Sequence, residues 1–205
     1  MDILLATANR DKVRELGNLL GPLDIQVKTL LDFPQAEQIE ETGETLAENA
    51  LLKARAGFQL SGLPTIADDT GLEVSALNGE PGVYSARFAG ENATYADNVR
   101  KLLEVMESVP DDQREGRFVT VAAYVDKTVE MVAYGQVAGQ ITRYPLGEGG
   151  FGYDPVFLVE ETGKTYAEMS LSEKNQMSHR ARAFRNLLSQ LQSQPSFNKL
   201  ELPID

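Results

Sequence analysis

Residues 65–74 read Thr-Ile-Ala-Asp-Asp-Thr-Gly-Leu-Glu-Val, an apolar run that opens onto two adjacent carboxylates, Asp68 and Asp69. Upstream lie Glu40, Glu41, Glu44 and Glu48. Oxygen ligands in pairs suit Mg2+, a hard ion that keeps several waters and binds through one or two carboxylates plus substrate phosphates. Thr65 to Ala67 read as the end of a buried strand. Neighbours on a strand face opposite ways. Asp68 and Asp69 are therefore expected to have different duties, one binding metal or activating water and the other making a structural hydrogen bond. The plainer reading is a turn, for which Asp-Asp-Thr-Gly is suitable chemistry.

Three more stretches have residue types that could do chemistry. Thr7-Ala8-Asn9-Arg10-Asp11-Lys12 lies between an expected strand end and a helix start. Unpaired N–H groups and the helix dipole favour an anion there, and Asn9 is placed to cap. Arg10 and Lys12 are cations at the end the dipole disfavours, a conflict that a docked phosphate would remove. An ordinary capped surface helix is the plainer alternative. Residues 147–157, Gly-Glu-Gly-Gly-Phe-Gly-Tyr-Asp-Pro-Val-Phe, surround Phe151 and Tyr153 with flexible backbone that could admit a planar ring. Stacking of a base on an aromatic is worth roughly 1–3 kcal/mol. A turn with packed aromatics would explain the same residues. Finally, residues 172–184 hold His179, the only histidine, beside Arg180, with Lys174 upstream. Three potential cations near one helix start are unusual in a chain of net charge -12, although a solvated basic patch would also account for them.

The elements that must position these residues alternate between strand and helix. Residues 3–6 and 24–30 read as strands. Residues 8–21 read as a helix with Val13, Leu16, Leu19 and Leu20 on one face and Gly21 as the stop. Thr45 and Glu48 have the spacing of a capping box that opens a helix ending at Gly62. A strand at 63–68 and a return strand at 71–77 follow, then a Gly- and Pro-punctuated loop over 78–90. Thr94 caps the next helix. Two strands joined by Asp126-Lys127-Thr128 form a hairpin. The last helix covers 178–192. The fold class is mixed α/β: a twisted mixed sheet flanked by helices, in two lobes with a central active-site cleft. One domain spans 1–192, with a poorly ordered tail over 193–205.

Composition narrows the function classes. The 205 residues include no cysteine, which excludes disulfide and thiolate chemistry and points to a reducing cytosol. No apolar run approaches the ~18 residues of a spanning helix, and the first twelve residues do not resemble a signal peptide. The acidic balance argues against nucleic-acid or anionic membrane partners.

Taken together, "LLATANRDKVREL", "EETGETLAENALLKA", "IADDTGLEVSALNGEPGVYSARFAG", "GGFGYDPVF" and "EKNQMSHRARA" resemble, in this order and over nearly the whole chain, the inosine triphosphate pyrophosphatase family, specifically its bacterial branch acting on dITP and XTP. Thr70 stands where bacterial members usually have serine, and the hydroxyl is retained. The resemblance implies a cytoplasmic, homodimeric hydrolase that converts ITP, dITP or XTP to the monophosphate and pyrophosphate. It implies Mg2+, with Mn2+ as a substitute, held by Glu41 or Glu40 and by Asp69, with Asp68 the rival. Asp69 would also accept the proton of the attacking water, Lys53 would reach the phosphates, and Thr7 to Lys12 would cradle them. Thr70 would touch substrate. Phe151, Gly152, Tyr153, Asp154, Lys174, His179 and Arg180 would form the base pocket. Lys and Arg offer donors only, which suits the 6-keto oxygen of hypoxanthine and xanthine and not the amino group of adenine. Two rival readings are a related pyrophosphatase for modified pyrimidine or methylated nucleotides, and a nucleotide-binding regulator without turnover.

Overall fold

The computed structural model describes residues 2–21, 25–34, 36 and 39–193. The elements in chain order are β1 (Asp2–Leu5), α1 (Arg10–Leu20), β2 (Gln26–Thr29), α2 (Leu46–Ser61), β3 (Thr65–Val74), β4 (Pro81–Gly82), α3 (Tyr95–Val105), β5 (Glu115–Val125), β6 (Glu130–Ile141), β7 (Phe157–Val159), β8 (Lys164–Thr165), α4 (Leu171–Met177) and α5 (His179–Gln192). Among the described residues the strands form one eight-stranded sheet in the order β2-β1-β3-β5-β6-β7-β8, with β4 paired to β3. β1 runs parallel to β2 and to β3, with Leu5 opposite Thr29 and Ile66. β7 is antiparallel to β6 and to β8. The mixed α/β class expected from the sequence is the one observed. Among the described residues no helix is long and apolar enough to cross a membrane.

The chain divides into two compact units. The first comprises the described residues of 2–69, 120–135 and 180–193, and the second comprises 70–119 and 136–179. The core of the first unit gathers Ile3, Leu5, Leu16, Ile66, Phe184 and Leu187. That of the second gathers Leu72, Leu102, Met106, Phe157 and Tyr166.

The helices begin where side chains can satisfy first-turn N–H groups. Asn9 caps α1, and the Thr45/Glu48 and Thr94/Asp97 capping boxes open α2 and α3. On α1 the expected apolar face is the buried one: Leu16 and Leu20 are enclosed, and Val13 and Leu19 pack against the same core. The residues expected as a tail lie outside the described residues from 194 onward. Asp24, at the start of the expected second strand, is also outside them.

The expectation around the aspartate doublet needs correction. In place of a strand, a turn and a return strand, residues 65–74 form the single ten-residue β3, with Asp68 and Asp69 in its middle. The doublet does not mark a strand exit. Two physical facts account for this. Burial on both faces covers all but Thr70 and Glu73, and each aspartate is paired with at least one cation. Gly71 is not a turn residue. A Cβ there would lie 2.6 Å from the Gly82 carbonyl oxygen, so glycine permits the close approach of β4. Within the loop expected over 78–90 the chain forms β4. The sequence reading also omitted β8 and α4. The latter opens with a Ser170/Glu173 capping box.

Candidate active site

In the first unit β1 ends against β3, and the Ala6 N–H donates to the Ile66 carbonyl at 2.8 Å. The chain then turns. Asn9 N–H donates to Thr7 Oγ1 at 3.1 Å, and Asn9 Oδ1 accepts from the N–H groups of Asp11 (2.9 Å) and Lys12 (3.3 Å). This cap consumes two of the donors that a helix start would offer an anion, and it fixes Lys12 in the first turn of α1. Lys12 Nζ lies 2.9 Å from Asp68 Oδ2 and donates to the Asp68 carbonyl at 3.4 Å. The same carboxylate accepts from Arg180 Nε at 3.2 Å, and Arg180 Nη1 reaches Glu15 Oε2 at 2.5 Å. The result is a buried alternating row: Lys12, Asp68, Arg180, Glu15. Burial alone would push the Asp68 carboxyl up. Lys12 and Arg180 overcome it and hold the group well below the usual range. Burial lowers the Lys12 ammonium despite Asp68. It also opposes the charge on Arg180, but Asp68 and Glu15 outweigh it and raise that guanidinium further. Around this row, Ala8 and Arg10 are exposed, and Asp11 faces Arg14 at 3.8 Å near the surface.

Asp69, the next residue along β3, has different company. Lys53 Nζ on α2 lies 2.8 Å from Asp69 Oδ1 and 2.7 Å from Glu41 Oε1. Burial raises the Asp69 carboxyl; Lys53 opposes the shift, Glu41 adds to it, and the net direction is upward. Lys53 is held protonated: burial lowers it, and the two carboxylates more than compensate. Of the two glutamates left open by the sequence, Glu41 is half-buried on Lys53, while Glu40 is exposed. Glu48 is occupied by the N-cap of α2. Among the described residues no three His, Cys, Asp or Glu side chains converge to hold a metal by themselves.

In the second unit α4 presents Lys174, which forms a buried ion pair with Asp154. Asp154 also accepts the Phe151 N–H at 2.8 Å, so one carboxylate shapes the glycine-rich loop and holds the lysine. Lys174 Nζ sits 4.8 Å from the Phe151 ring centroid and 5.2 Å from that of Tyr166. Phe151 and Gly152 are half-buried. Tyr153 is a core residue, and its hydroxyl, which burial raises well above the ordinary range, donates to the Ser85 carbonyl at 2.9 Å. His179 is buried and stacks on Phe118 with centroids 4.5 Å apart. Thr70 is half-buried.

The structure thus gathers Lys12, Asp68 and Arg180, then Glu41, Lys53 and Asp69, and separately Phe151, Asp154 and Lys174. Arg180, expected among base donors, has its guanidinium on Asp68 and Glu15.

The family model described as "Ham1 family" matches residues 3–190. The chain belongs to the Ham1 family. A dITP/XTP pyrophosphatase of Shigella flexneri is 50% identical over 196 residues, covering 93% of this chain and 98% of that protein. One of the same name from Thermoanaerobacter sp. is 49% identical over 187 residues, 91% and 94% of the two chains. The solved structure of a HAM1 protein from Coxiella burnetii matches with a TM-score of 0.85 at 41% identity, covering 95% of this chain and 100% of that one. The motif resemblance read from the sequence therefore stands.

Two residues of this Ham1 chain escaped sequence reasoning. Glu15 is one turn along α1 from Lys12 and is 2% exposed. Only its i,i+3 spacing from Lys12 hinted at it, and that spacing reads equally as a surface ion pair. Asn49, wholly buried on α2, gave no signal beyond being a polar residue on an apolar helix face.

Proposed function

We propose that this Ham1 chain hydrolyses non-standard purine nucleoside triphosphates, ITP, dITP and XTP among them, to the monophosphate and pyrophosphate. The observation that carries the reading is Lys53 bridging Asp69 and Glu41, in a family whose relatives bear the dITP/XTP pyrophosphatase name. A water oxygen attacks the α-phosphorus. The bond from that phosphorus to the α,β-bridging oxygen breaks, and its electron pair leaves with pyrophosphate. The water proton passes to Asp69, whose raised affinity for a proton suits a general base. Lys53 and Lys12 are the cations for phosphate oxygens.

The donor set fits a hard divalent cation. Two carboxylates, with no thiolate and no third clustered ligand among the described residues, suit an ion that takes its remaining ligands from water and phosphate. Glu41 and Asp69 would hold Mg2+ or Mn2+, with Lys53 yielding part of its contact, and the ion would neutralise charge on the leaving pyrophosphate. In the second unit the half-buried Phe151 ring offers a stacking face, and Lys174 offers a donor suited to a keto base. The homodimer expected from the resemblance is part of this proposal, and sedimentation velocity measures it. Tyr84, 58% exposed in loop 78–90, is one aromatic that an interface would cover.

The deciding experiment is pyrophosphate release with Mg2+ from ITP, dITP and XTP against ATP, GTP and pyrimidine triphosphates. Preference for the first three supports the proposal, preference for pyrimidines transfers it to the rival substrate class, and binding without release refutes it.

A further inference from the structure

The loop that carries Glu41 is fastened to the first turns of α2. Glu48 Oε2 accepts the N–H groups of Glu44 at 2.8 Å and Thr45 at 3.0 Å. Asn49 Oδ1 accepts the Gly43 N–H at 2.8 Å, and Lys53 holds Glu41 itself. Of these anchors Asn49 is the fully buried one, at 0% exposure. Its Nδ2 has no hydrogen-bond partner among the described residues. The buried face around it is mostly apolar, with Leu46, Ala50, Ala54 and Gly57. A leucine would fill the same space without burying an unmatched donor. A half-satisfied buried amide calls for a reason, and packing does not supply one here.

The amide's visible work is to hold Gly43, two residues from Glu41. The fit leaves no room: a Cβ on Gly43 would stand 2.7 Å from Asn49 Oδ1, 2.7 Å from Glu48 Cβ and 3.0 Å from Asn49 N. Asn49 and Lys53 are four residues apart on one helix and so share a face. The backbone of the acidic loop and the Glu41 carboxylate are thus fixed by adjacent turns of the same rigid element.

We infer that Asn49 is a positioning residue for Glu41, setting through Gly43 where that carboxylate meets a divalent cation. The inference rests on the metal reading of Glu41 above. Two readouts test it: binding of Mn2+ alone, followed by electron paramagnetic resonance, and the Mg2+ concentration that half-saturates ITP hydrolysis. Asn49→Leu is expected to weaken Mn2+ binding and to raise the half-saturating Mg2+ by roughly tenfold or more, the scale on which supporting residues act on a metal site. Activity should recover largely at saturating Mg2+, and Tm should change little. Gly43→Ala strikes the same contact from the other side and should give the same signature. The double variant should be no worse than either single one, since both remove one interaction. Asn49→Asp keeps an acceptor for the Gly43 N–H and should retain most of the Mn2+ affinity. If Asn49→Leu does not fold, Gly43→Ala and Asn49→Asp carry the test. Unchanged Mn2+ affinity and Mg2+ requirement in folded Asn49→Leu or Gly43→Ala overturn the inference, whatever happens to Tm. Glu41→Gln separates the two levels. If it too leaves Mn2+ binding unchanged, the metal reading itself has failed; if it alone loses affinity, only the positioning role is lost.

Discussion

Replacing Arg180 with methionine separates two accounts of that residue. Its guanidinium lies between Asp68 (3.2 Å) and Glu15 (2.5 Å), and its side chain is 3% exposed. Asp68 also has Lys12, at 2.9 Å in the parent, so the main penalty should fall on Glu15, a carboxylate deep in the first unit that loses the Arg180 cation. Removing one partner of a buried ion pair typically costs about 3–5 kcal/mol. For a chain of this size each kcal/mol moves Tm by about 2–4 °C, so Tm should fall by roughly 6–20 °C. Replacing both members, Glu15→Leu with Arg180→Met, removes the uncompensated charge. That double variant should recover at least about half of the lost stability, because hydrophobic replacement of a whole buried pair is often close to neutral. Thermal denaturation followed by circular dichroism measures both. Steady-state ITP and ATP hydrolysis on the folded fraction measures the rest. A charge-positioning role slows both substrates alike, whereas a donor to the 6-keto oxygen lowers ITP selectively, by roughly 10- to 150-fold for a charged hydrogen bond of about 1.5–3 kcal/mol. A Tm drop below about 2 °C in Arg180→Met, or no recovery in the double variant, would refute the reasoning from the buried row.

Other expectations follow from the same geometry. Asp69→Asn keeps the volume and removes the proton acceptor, so turnover should fall by at least about 10²-fold with folding intact; near-parent activity would move the base role to Asp68. Excess EDTA should abolish pyrophosphate release and Mg2+ or Mn2+ should restore it without zinc, and full activity in EDTA would end the metal proposal. Lys12→Ala should slow ITP and ATP by similar factors, since phosphates are common to both, and a changed ITP-to-ATP ratio would count against a phosphate role. Stability should decline in acid. Thr94 and Arg100 hold Asp97 at about 2, and Ser170 and Lys164 hold Glu173 at about 2, each below its ordinary value. A lowered carboxylate contributes stability that is complete above its unfolded value and is lost as pH falls through the folded one. The decline should therefore run from about pH 4 toward pH 2, and Asp97→Asn with Glu173→Gln should flatten it; an unchanged slope in the double variant rejects the assignment.

What the sequence revealed depended on how local the cause was. The caps of α1, α2 and α3 were legible because Asn9, Thr45 with Glu48, and Thr94 act within one turn. Ser170 and Glu173 have the same spacing and were overlooked beside the basic residues that follow. The single β3 was not legible. Asp-Asp-Thr-Gly satisfies turn chemistry locally, and only the Gly82 carbonyl against Gly71 and the distant cations make an extended strand preferable. Glu40 and Glu41 are indistinguishable by type, and the difference between them, the contact of Glu41 with Lys53, shows only in the fold. Glu15 needed Arg180, 165 residues away, to show that it is buried rather than a surface partner of Lys12.

The period of a strand did predict that the two aspartates part company, and they have different partners. In the row through Asp68, two carboxylates meet two cations, and the charges cancel. A carboxylate held that far below its usual range is a poor proton acceptor, and a further cation near it would meet the charges of Lys12 and Arg180. Around Asp69 two carboxylates share one ammonium, leaving one negative charge in excess. Burial raises the proton affinity of Asp69, Lys53 opposes it and Glu41 adds to it, and the excess negative charge would attract a divalent cation. The surroundings of Asp69 are the ones consistent with the duties proposed for it. The row through Asp68 ties β3 to α1 and α5 one residue away from Asp69.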